Sequence, residues 1–239
     1  MRGVLCRSTK DAPNVMDERK ELESSGSLGA DEACEYRSAY QECQDLCDRL
    51  ENPGAPLDSD RFIDSSRKPT TIDQSRIEEV MEGLPCDGLR ILHVGVGNSS
   101  LARRFASRAD GIMGLTLSPN EKSLSDTLGL PGYTVLLLNK YGRELLSLAK
   151  TGYDLIVDNN LASFACCKFH FYRMLDSYVA LLVTGGMILT DQRGMDWTAG
   201  DTRWRLTYRD LESLGSKFHL QAHRLTESVY GLNKLAEPR

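Results

Sequence analysis

The sequence predicts an α/β chain built on a doubly wound, mostly parallel sheet with helices on both faces. Three observations predict it. From Leu89 onward, short apolar runs alternate with helix-like stretches. The runs are nearly continuously apolar, as strands buried on both faces are. Glycines close the first run and open the helix that follows it.

The elements follow in order. Leu89–Val96, LRILHVGV, is the first predicted strand, and Ser99–Ala109 the helix after it. Gly111–Leu117 is the second strand and Pro119–Leu128 its helix. YTVLLL, Tyr133–Leu138, is the third strand, followed by a helix over Arg143–Lys150. YDLIV, Tyr153–Val157, is the fourth, followed by a long helix over Phe169–Leu182. Gly185-Gly186 turns the chain into a fifth strand, Gly186–Thr190, and Tyr208–Leu214 reads as a helix. The end, Lys217–Leu235, reads as two strands, FHLQAHRL and SVYGLNKL.

The N-terminal part has a different texture. Residues 1–30 carry few large apolar side chains and include Ser24-Ser25-Gly26-Ser27, so disorder is expected. Between Asp31 and Leu50, Tyr36, Ala39, Tyr40, Cys43, Leu46, Cys47 and Leu50 recur at three- and four-residue steps, which predicts an amphipathic helix. Asn52-Pro53-Gly54 stops it. Residues 57–70 read as an ordered loop with Phe62 and Ile63 able to dock. Ile72, Ile77, Val80, Met81 and Leu84 predict a second helix over Thr71–Leu84. The expected division is 1–30 disordered, 31–88 a helical appendage and 89–239 the α/β domain.

Composition narrows the function classes. The chain has 239 residues, 41% hydrophobic, with 34 acidic and 29 basic side chains and a net charge of −5. No basic run exceeds Arg103-Arg104 or Arg67-Lys68, so neither nucleic acid nor an anionic membrane is the expected partner. No apolar stretch approaches the ~20 residues needed to span a bilayer. Val4-Leu5-Cys6 is too short for a signal-peptide core. Seven cysteines without a zinc-like spacing read as reduced thiols in a cytoplasmic protein.

Ligands of doubly wound sheets bind outside the carboxyl ends of the strands. That rule nominates Gly95–Ser99, Thr116–Ser118, Asn139-Lys140, Asp158-Asn159 and Asp191-Gln192. Glycines 95 and 97 let a ligand approach the backbone, and the helix start offers free amide hydrogens. A dinucleotide site would carry GxGxxG and an acid about 20 residues further on. Ser100 stands at the third glycine here, and Thr116 where the acid would be.

The sequence resembles the class I S-adenosylmethionine-dependent methyltransferases over about residues 72–235. ILHVGVGNSSLARRF resembles the family's first motif, GIMGLTLSPNEK its second strand, and YDLIVDNN its fourth-strand motif. LLVTGGMILTDQ resembles the turn into the fifth strand. The resemblance implies a Rossmann-like, seven-stranded sheet whose last strand, Ser228–Leu235, is antiparallel. It also implies S-adenosylmethionine as cofactor, contacted by His93, Gly95, Val96, Gly97, Asn98, Ser99, Thr116, Leu117, Asn139, Lys140, Asp158 and Asn159. The N-terminal appendage would lid the substrate cleft. Three positions depart from the family pattern: His93, Thr116 and Asn139 replace carboxylates. His93 reads either as a structural histidine beneath the loop or as a contact to the methionine end of the cofactor.

Methyl transfer asks chiefly for proximity, and sometimes for a base. Asp158, His170 and Asp191 are the candidate catalytic residues. Asp158, Asp191 and Gln192 would also suit magnesium, as in metal-dependent O-methyltransferases; otherwise Asp158 faces the cofactor and Asp191 orders a loop. His170 is either a base or a half-exposed helix residue. Met195, Trp197, Trp204 and Tyr208 are expected either to wall an organic acceptor or to pack on the sheet. The expected function is methylation of a small-molecule acceptor, in secondary metabolism. The alternatives are other chemistry on the same fold, such as cyclisation or aminopropyl transfer, and a non-catalytic partner subunit. A homo-oligomer is compatible with the amphipathic first helix.

Overall fold

The computed structural model describes residues 64–163, 165, 167–197 and 204–236. The predictions for residues 1–30, for the helix over 31–50, and for Phe62 and Ile63 lie outside the described residues.

The described chain opens with residues 64–70 and helix α1 (Ile72–Glu82). Then β1 (Arg90–Val94), α2 (Ser100–Phe105), β2 (Gly111–Thr116), α3 (Pro119–Leu128) and β3 (Tyr133–Leu137) follow. A 3-10 segment (Arg143–Lys150) leads to β4 (Tyr153–Val157), α4 (Lys168–Leu181) and β5 (Leu182–Asp191). The chain closes with α5 (Gln192–Asp196), α6 (Tyr208–Lys217), β6 (Leu220–Arg224) and β7 (Val229–Lys234).

Local chemistry sets these boundaries. Ser118 caps α3 by accepting the Glu121 amide, Pro119 takes the first turn, and Gly129 ends the helix at a φ of 57°. Each choice matches the open donors, the fixed φ and the left-handed exit that a helix needs. Thr207 and Asp210 form a reciprocal capping box at α6. The segment over Arg143–Lys150 was expected to be helical and is a 3-10 helix. Its inward side chains, buried Leu145 and half-buried Leu148, are three apart, the repeat that aligns in a 3-10 helix. Strand β5 begins four residues earlier than predicted, directly after α4, and Gly185 takes a φ of 80° within it. The pairing with β4 shifts register between Tyr153 and Leu155.

The sheet has seven strands in the order β3-β2-β1-β4-β5-β7-β6. Pairings from β3 through β5 are parallel. Strand β7 runs antiparallel to both β5 and β6, as the expected fold requires. The chain winds outward from β1 to β3 and then returns to β4, so the switch point lies between β1 and β4.

Alternate residues of each strand enter opposite cores. Ile91 faces one core, where α1 and α2 contribute Ile77, Met81, Leu101 and Phe105. Leu92 faces the other, filled by Phe171, Leu175 and Tyr178 of α4 and Leu211 of α6. Helix α1, which the sequence division places in the appendage, is therefore part of the sheet's own packing. No helix among the described residues is long and apolar enough to cross a membrane.

Candidate functional site

The loop after β1 is held open by backbone conformation. Gly95 and Gly97 have φ values of 79° and 53°, a region that side chains with a Cβ rarely enter. No atom lies within 4 Å of where a Cβ on Gly95 would sit, so the loop leaves room beside the backbone. Its floor is fixed by the Gly95 amide, which donates to the Leu115 carbonyl at 2.8 Å. Ser99 adopts left-handed backbone at 61°, a strain of about 1–2 kcal/mol for a residue other than glycine. It is buried, with its hydroxyl 2.9 Å from the Tyr133 hydroxyl. Val96 packs into the core. Asn98 ties the loop to its surroundings: its amide donates to the Lys68 carbonyl and the Thr70 hydroxyl at 3.0 and 3.1 Å, and its Oδ1 accepts the Ser100 amide at 3.0 Å.

The end of β2 shows a residue that sequence reasoning missed. Thr116 stands where a carboxylate was expected, and its hydroxyl donates to Glu121 Oε2 at 2.5 Å. Glu121 is the third residue of α3, and it returns its carboxylate to the strand end. Its Oε1 accepts the Ser65 amide at 2.9 Å. The signal was present in Ser118-Pro119-Asn120-Glu121, the spacing of an N-terminal capping box. Here the glutamate turns inward instead of back to the cap. Leu117, half-buried, continues the loop.

His93 lies on the Ile91 face of β1, directly before the glycines. It is 1% exposed, and among the described residues neither ring nitrogen has a hydrogen-bond partner. Burial lowers its pKa from 6.5 to about 4, so the ring is neutral at physiological pH. A buried polar group left this way costs about 1–3 kcal/mol.

At the ends of β3 and β4 the expected contacts serve the protein itself. Asn139 was expected to accept from an amino group; its Oδ1 accepts the Tyr141 amide at 3.0 Å, forming a turn, and keeps a second lone pair. The Lys140 ammonium reaches both Asp158 oxygens at 3.0 and 2.8 Å, and the carbonyls of Asn160 and Leu161 at 2.8 and 3.1 Å. Tyr178 donates to Asp158 Oδ2 at 2.8 Å. Burial pulls the Lys140 pKa below its ordinary value, with Asp158 opposing. The Tyr178 hydroxyl is pushed well up by burial, and then by the Asp158 charge.

On the His93 side, the Asn159 amide donates to Asp73 Oδ2 of α1 at 2.7 Å. Asp191 caps α5 by accepting the Arg193 amide at 2.8 Å, which is the loop-ordering role. Its Oδ2 lies 3.9 Å from Arg76. Burial raises the Asp191 pKa. Gln192 donates to Asp196 and to the Leu206 carbonyl. Asp158, Asp191 and Gln192 thus belong to separate networks, and among the described residues no three histidine, cysteine or acidic side chains are grouped to hold a metal ion. The magnesium expectation has no structural support.

His170 is fully buried, not half-exposed, with Nδ1 3.0 Å from Cys167 Sγ. Met195 and Trp204 are core residues, Trp204 lying edge-on to Phe171. They pack rather than wall an acceptor. Trp197 is exposed, and Tyr208 stacks near Tyr230.

No protein-family model matches the sequence, and no curated protein matches it. Solved structures do match. The N-methyltransferase NodS from Bradyrhizobium japonicum aligns at 11% identity over 68% of this chain and 96% of its own, with a TM-score of 0.53. Its complex with S-adenosylhomocysteine aligns at 13% identity over 79% of this chain and 95% of its own, with a TM-score of 0.51. A TehB-like S-adenosylmethionine-dependent methyltransferase from Corynebacterium glutamicum aligns at 13% identity over 84% and 98%, again at 0.51. Strand order, the antiparallel seventh strand and these superpositions agree: the chain has the fold of the class I S-adenosylmethionine-dependent methyltransferases.

Proposed function

We propose that the chain binds S-adenosylmethionine across the ends of β1 and β2 and transfers its methyl group to a small-molecule acceptor, in secondary metabolism. The observation that carries this reading is the inward-turned Glu121 carboxylate, bonded to Thr116 at the end of β2. A buried carboxylate at that place restores the charged acceptor that a threonine hydroxyl cannot supply, and a ribose diol is the donor pair it suits.

The other residues present fit the same ligand. Gly95 and Gly97 would hold it close to the backbone, where no Cβ intervenes. The unpartnered His93 ring, neutral and directly beneath the loop, would accept a hydrogen bond from the amino-acid end. When bound, the cofactor supplies a sulfonium-activated methyl for in-line displacement. The protein's task is then to place the acceptor and exclude water. Asp158 is held by Lys140 and Tyr178, so it shapes the loop after β4 rather than taking a proton. The net charge of −5 and the absence of basic runs favour a small acceptor over nucleic acid.

Calorimetry with S-adenosylhomocysteine tests the cofactor half. Binding in the micromolar range is expected, weakened about tenfold or more in Glu121→Ala, the scale of one hydrogen bond to a charged group. No binding at millimolar ligand overturns the reading. Transfer of labelled methyl from S-adenosylmethionine to a panel of phenols, amines and carboxylic acids tests the acceptor half; labelling of RNA or protein alone would refute it.

A further inference from the structure

We propose that Cys167 and His170 form a thiolate–imidazolium pair that reacts with hydrogen peroxide, which makes Cys167 a site of oxidation to the sulfenic acid. The pair uses none of the residues assigned to the cofactor, so it stands or falls independently of the methyl-transfer reading. Three observations argue for it.

First, a nucleophile and a proton carrier are in contact. Cys167 Sγ lies 3.0 Å from His170 Nδ1. Cys167 is the N-cap of α4 and His170 its third residue, the spacing at which a capping-box side chain reaches back to the cap. The imidazole is fully buried and meets the Phe169 ring edge-on, with centroids 5.3 Å apart. Packing thus holds the ring where its nitrogen faces the sulfur.

Second, the surroundings favour the thiolate. A helix N-terminus and neighbouring cations stabilise a sulfur anion. Helix α4 runs for 14 residues from this end, and its first turn carries no acidic side chain. Lys168 and Arg173 place two cations within its first two turns.

Third, the other described cysteine shows the contrasting, inert environment. Cys86 is 0% exposed, and its Sγ donates to the Met81 carbonyl at 3.1 Å. Burial pushes its pKa up, which keeps the proton on sulfur. Cys167 instead faces a ring nitrogen that can take its proton, and it keeps 5% exposure. That small opening selects a reagent little larger than water. The thiolate attacks one peroxide oxygen, and the S–O bond forms as the O–O bond breaks. The departing hydroxide takes the proton that His170 received from the thiol and leaves as water. Sulfur is oxidised and the peroxide is reduced.

The full chain is treated with hydrogen peroxide at neutral pH, trapped with dimedone and mapped by mass spectrometry. A sulfenic acid at Cys167 with Cys86 unlabelled is expected. Label at Cys167 that forms only in urea overturns the proposal. Cys166→Ser separates the two adjacent cysteines: label that persists supports Cys167, and label that disappears overturns it. His170→Gln can no longer hold the proton and is expected to slow labelling about tenfold or more, because an ordinary thiol is only a few per cent thiolate at neutral pH. An unchanged rate in the folded variant overturns the pair. If His170→Gln does not fold, the pH profile of the native chain decides. A labelling rate nearly level from pH 8 to pH 7 supports the pair, and a fall of about eightfold over that unit, as for a thiol of pKa about 8.5, overturns it.

Discussion

Replacing His93 with leucine separates what the histidine does for the fold from what it does for a ligand. The native ring is buried with both nitrogens unpartnered, and its pKa falls from 6.5 to about 4 through burial. In the unfolded chain the ring takes a proton below 6.5, while the folded chain takes it only below about 4. Between those values the unfolded state holds more protons, so native stability rises with pH across the window and is lost as pH falls through it. The drop from 6.5 to about 4 corresponds to about 3 kcal/mol at 1.36 kcal/mol per pH unit. Leucine, of similar size, has no such dependence and no orphaned nitrogen. At pH 7 His93→Leu is therefore expected to be more stable by about 1–3 kcal/mol. Between pH 7 and pH 4 that advantage widens by about 3 kcal/mol. Urea midpoints at a series of pH values, read by tryptophan fluorescence, give both numbers. A gap that stays constant with pH refutes the claim that burial keeps the ring neutral. The same variant is expected to bind S-adenosylhomocysteine more weakly, by about tenfold for one lost hydrogen bond. Stability gained with affinity lost is the signature of a polar group kept for a ligand. Stability gained with affinity unchanged would make His93 a purely structural residue.

Three further outcomes test the rest of the site. Lys140→Met leaves Asp158 buried without its cation and is expected to lose about 3–5 kcal/mol. Adding Asp158→Asn restores most of it, because Tyr178 still has an acceptor; thermal melts of the single and double variants read the difference. Gly194→Ala places a Cβ against the Asn159 carbonyl oxygen. That contact is backbone, so α5 must move, and a loss of about 1–3 kcal/mol follows from overpacking, measurable by denaturant unfolding. Thr116→Val removes the hydroxyl that orients Glu121 and accepts the Ser118 amide, and is expected to cost about 1–3 kcal/mol of stability and to weaken S-adenosylhomocysteine binding about three- to tenfold; unaltered affinity would show that Thr116 does not position the carboxylate.

The strands were legible because burial on both faces writes itself into composition. In RILHV and YDLIV the charged residue lies at the strand's entrance and the rest is mostly apolar, and both are central strands. The glycine loop was legible because Gly95 and Gly97 sit at a strand-to-helix junction, and both take positive φ. The 3-10 segment was not legible: eight residues with leucines three and four apart suit either helix. Polar partners were hidden for a different reason. Lys140 and Asp158 are 18 residues apart and Asn159 and Asp73 are 86 apart. Nothing local in the chain marks such pairs, because only the parallel return of β4 beside β1 brings them together. His170 shows the reverse: a histidine at a helix start reads as half-exposed, yet it is fully buried.

The three departures from the family pattern therefore do not mean the same thing. At Thr116 the missing charge is a matter of bookkeeping by position, since Glu121 delivers a carboxylate to the same strand end from the following helix. At Asn139 no nearby charge replaces the carboxylate: its carbonyl oxygen gives one lone pair to the turn at Tyr141, and the adjacent Lys140 is paired with Asp158. Adenine recognition at that edge would then fall to backbone groups or to the free end of the Asn139 amide, both of which bind more weakly than a carboxylate. At His93 the substitution exchanges a negative charge for a neutral ring with two unused nitrogens. A folded chain bears the cost of such a group most readily where a ligand satisfies it. On the proposed reading Glu121 would serve the ribose from the end of β2, and the altered residues would face the adenine and amino-acid ends, so affinity measured against fragments of the cofactor is expected to show the loss there rather than at the ribose.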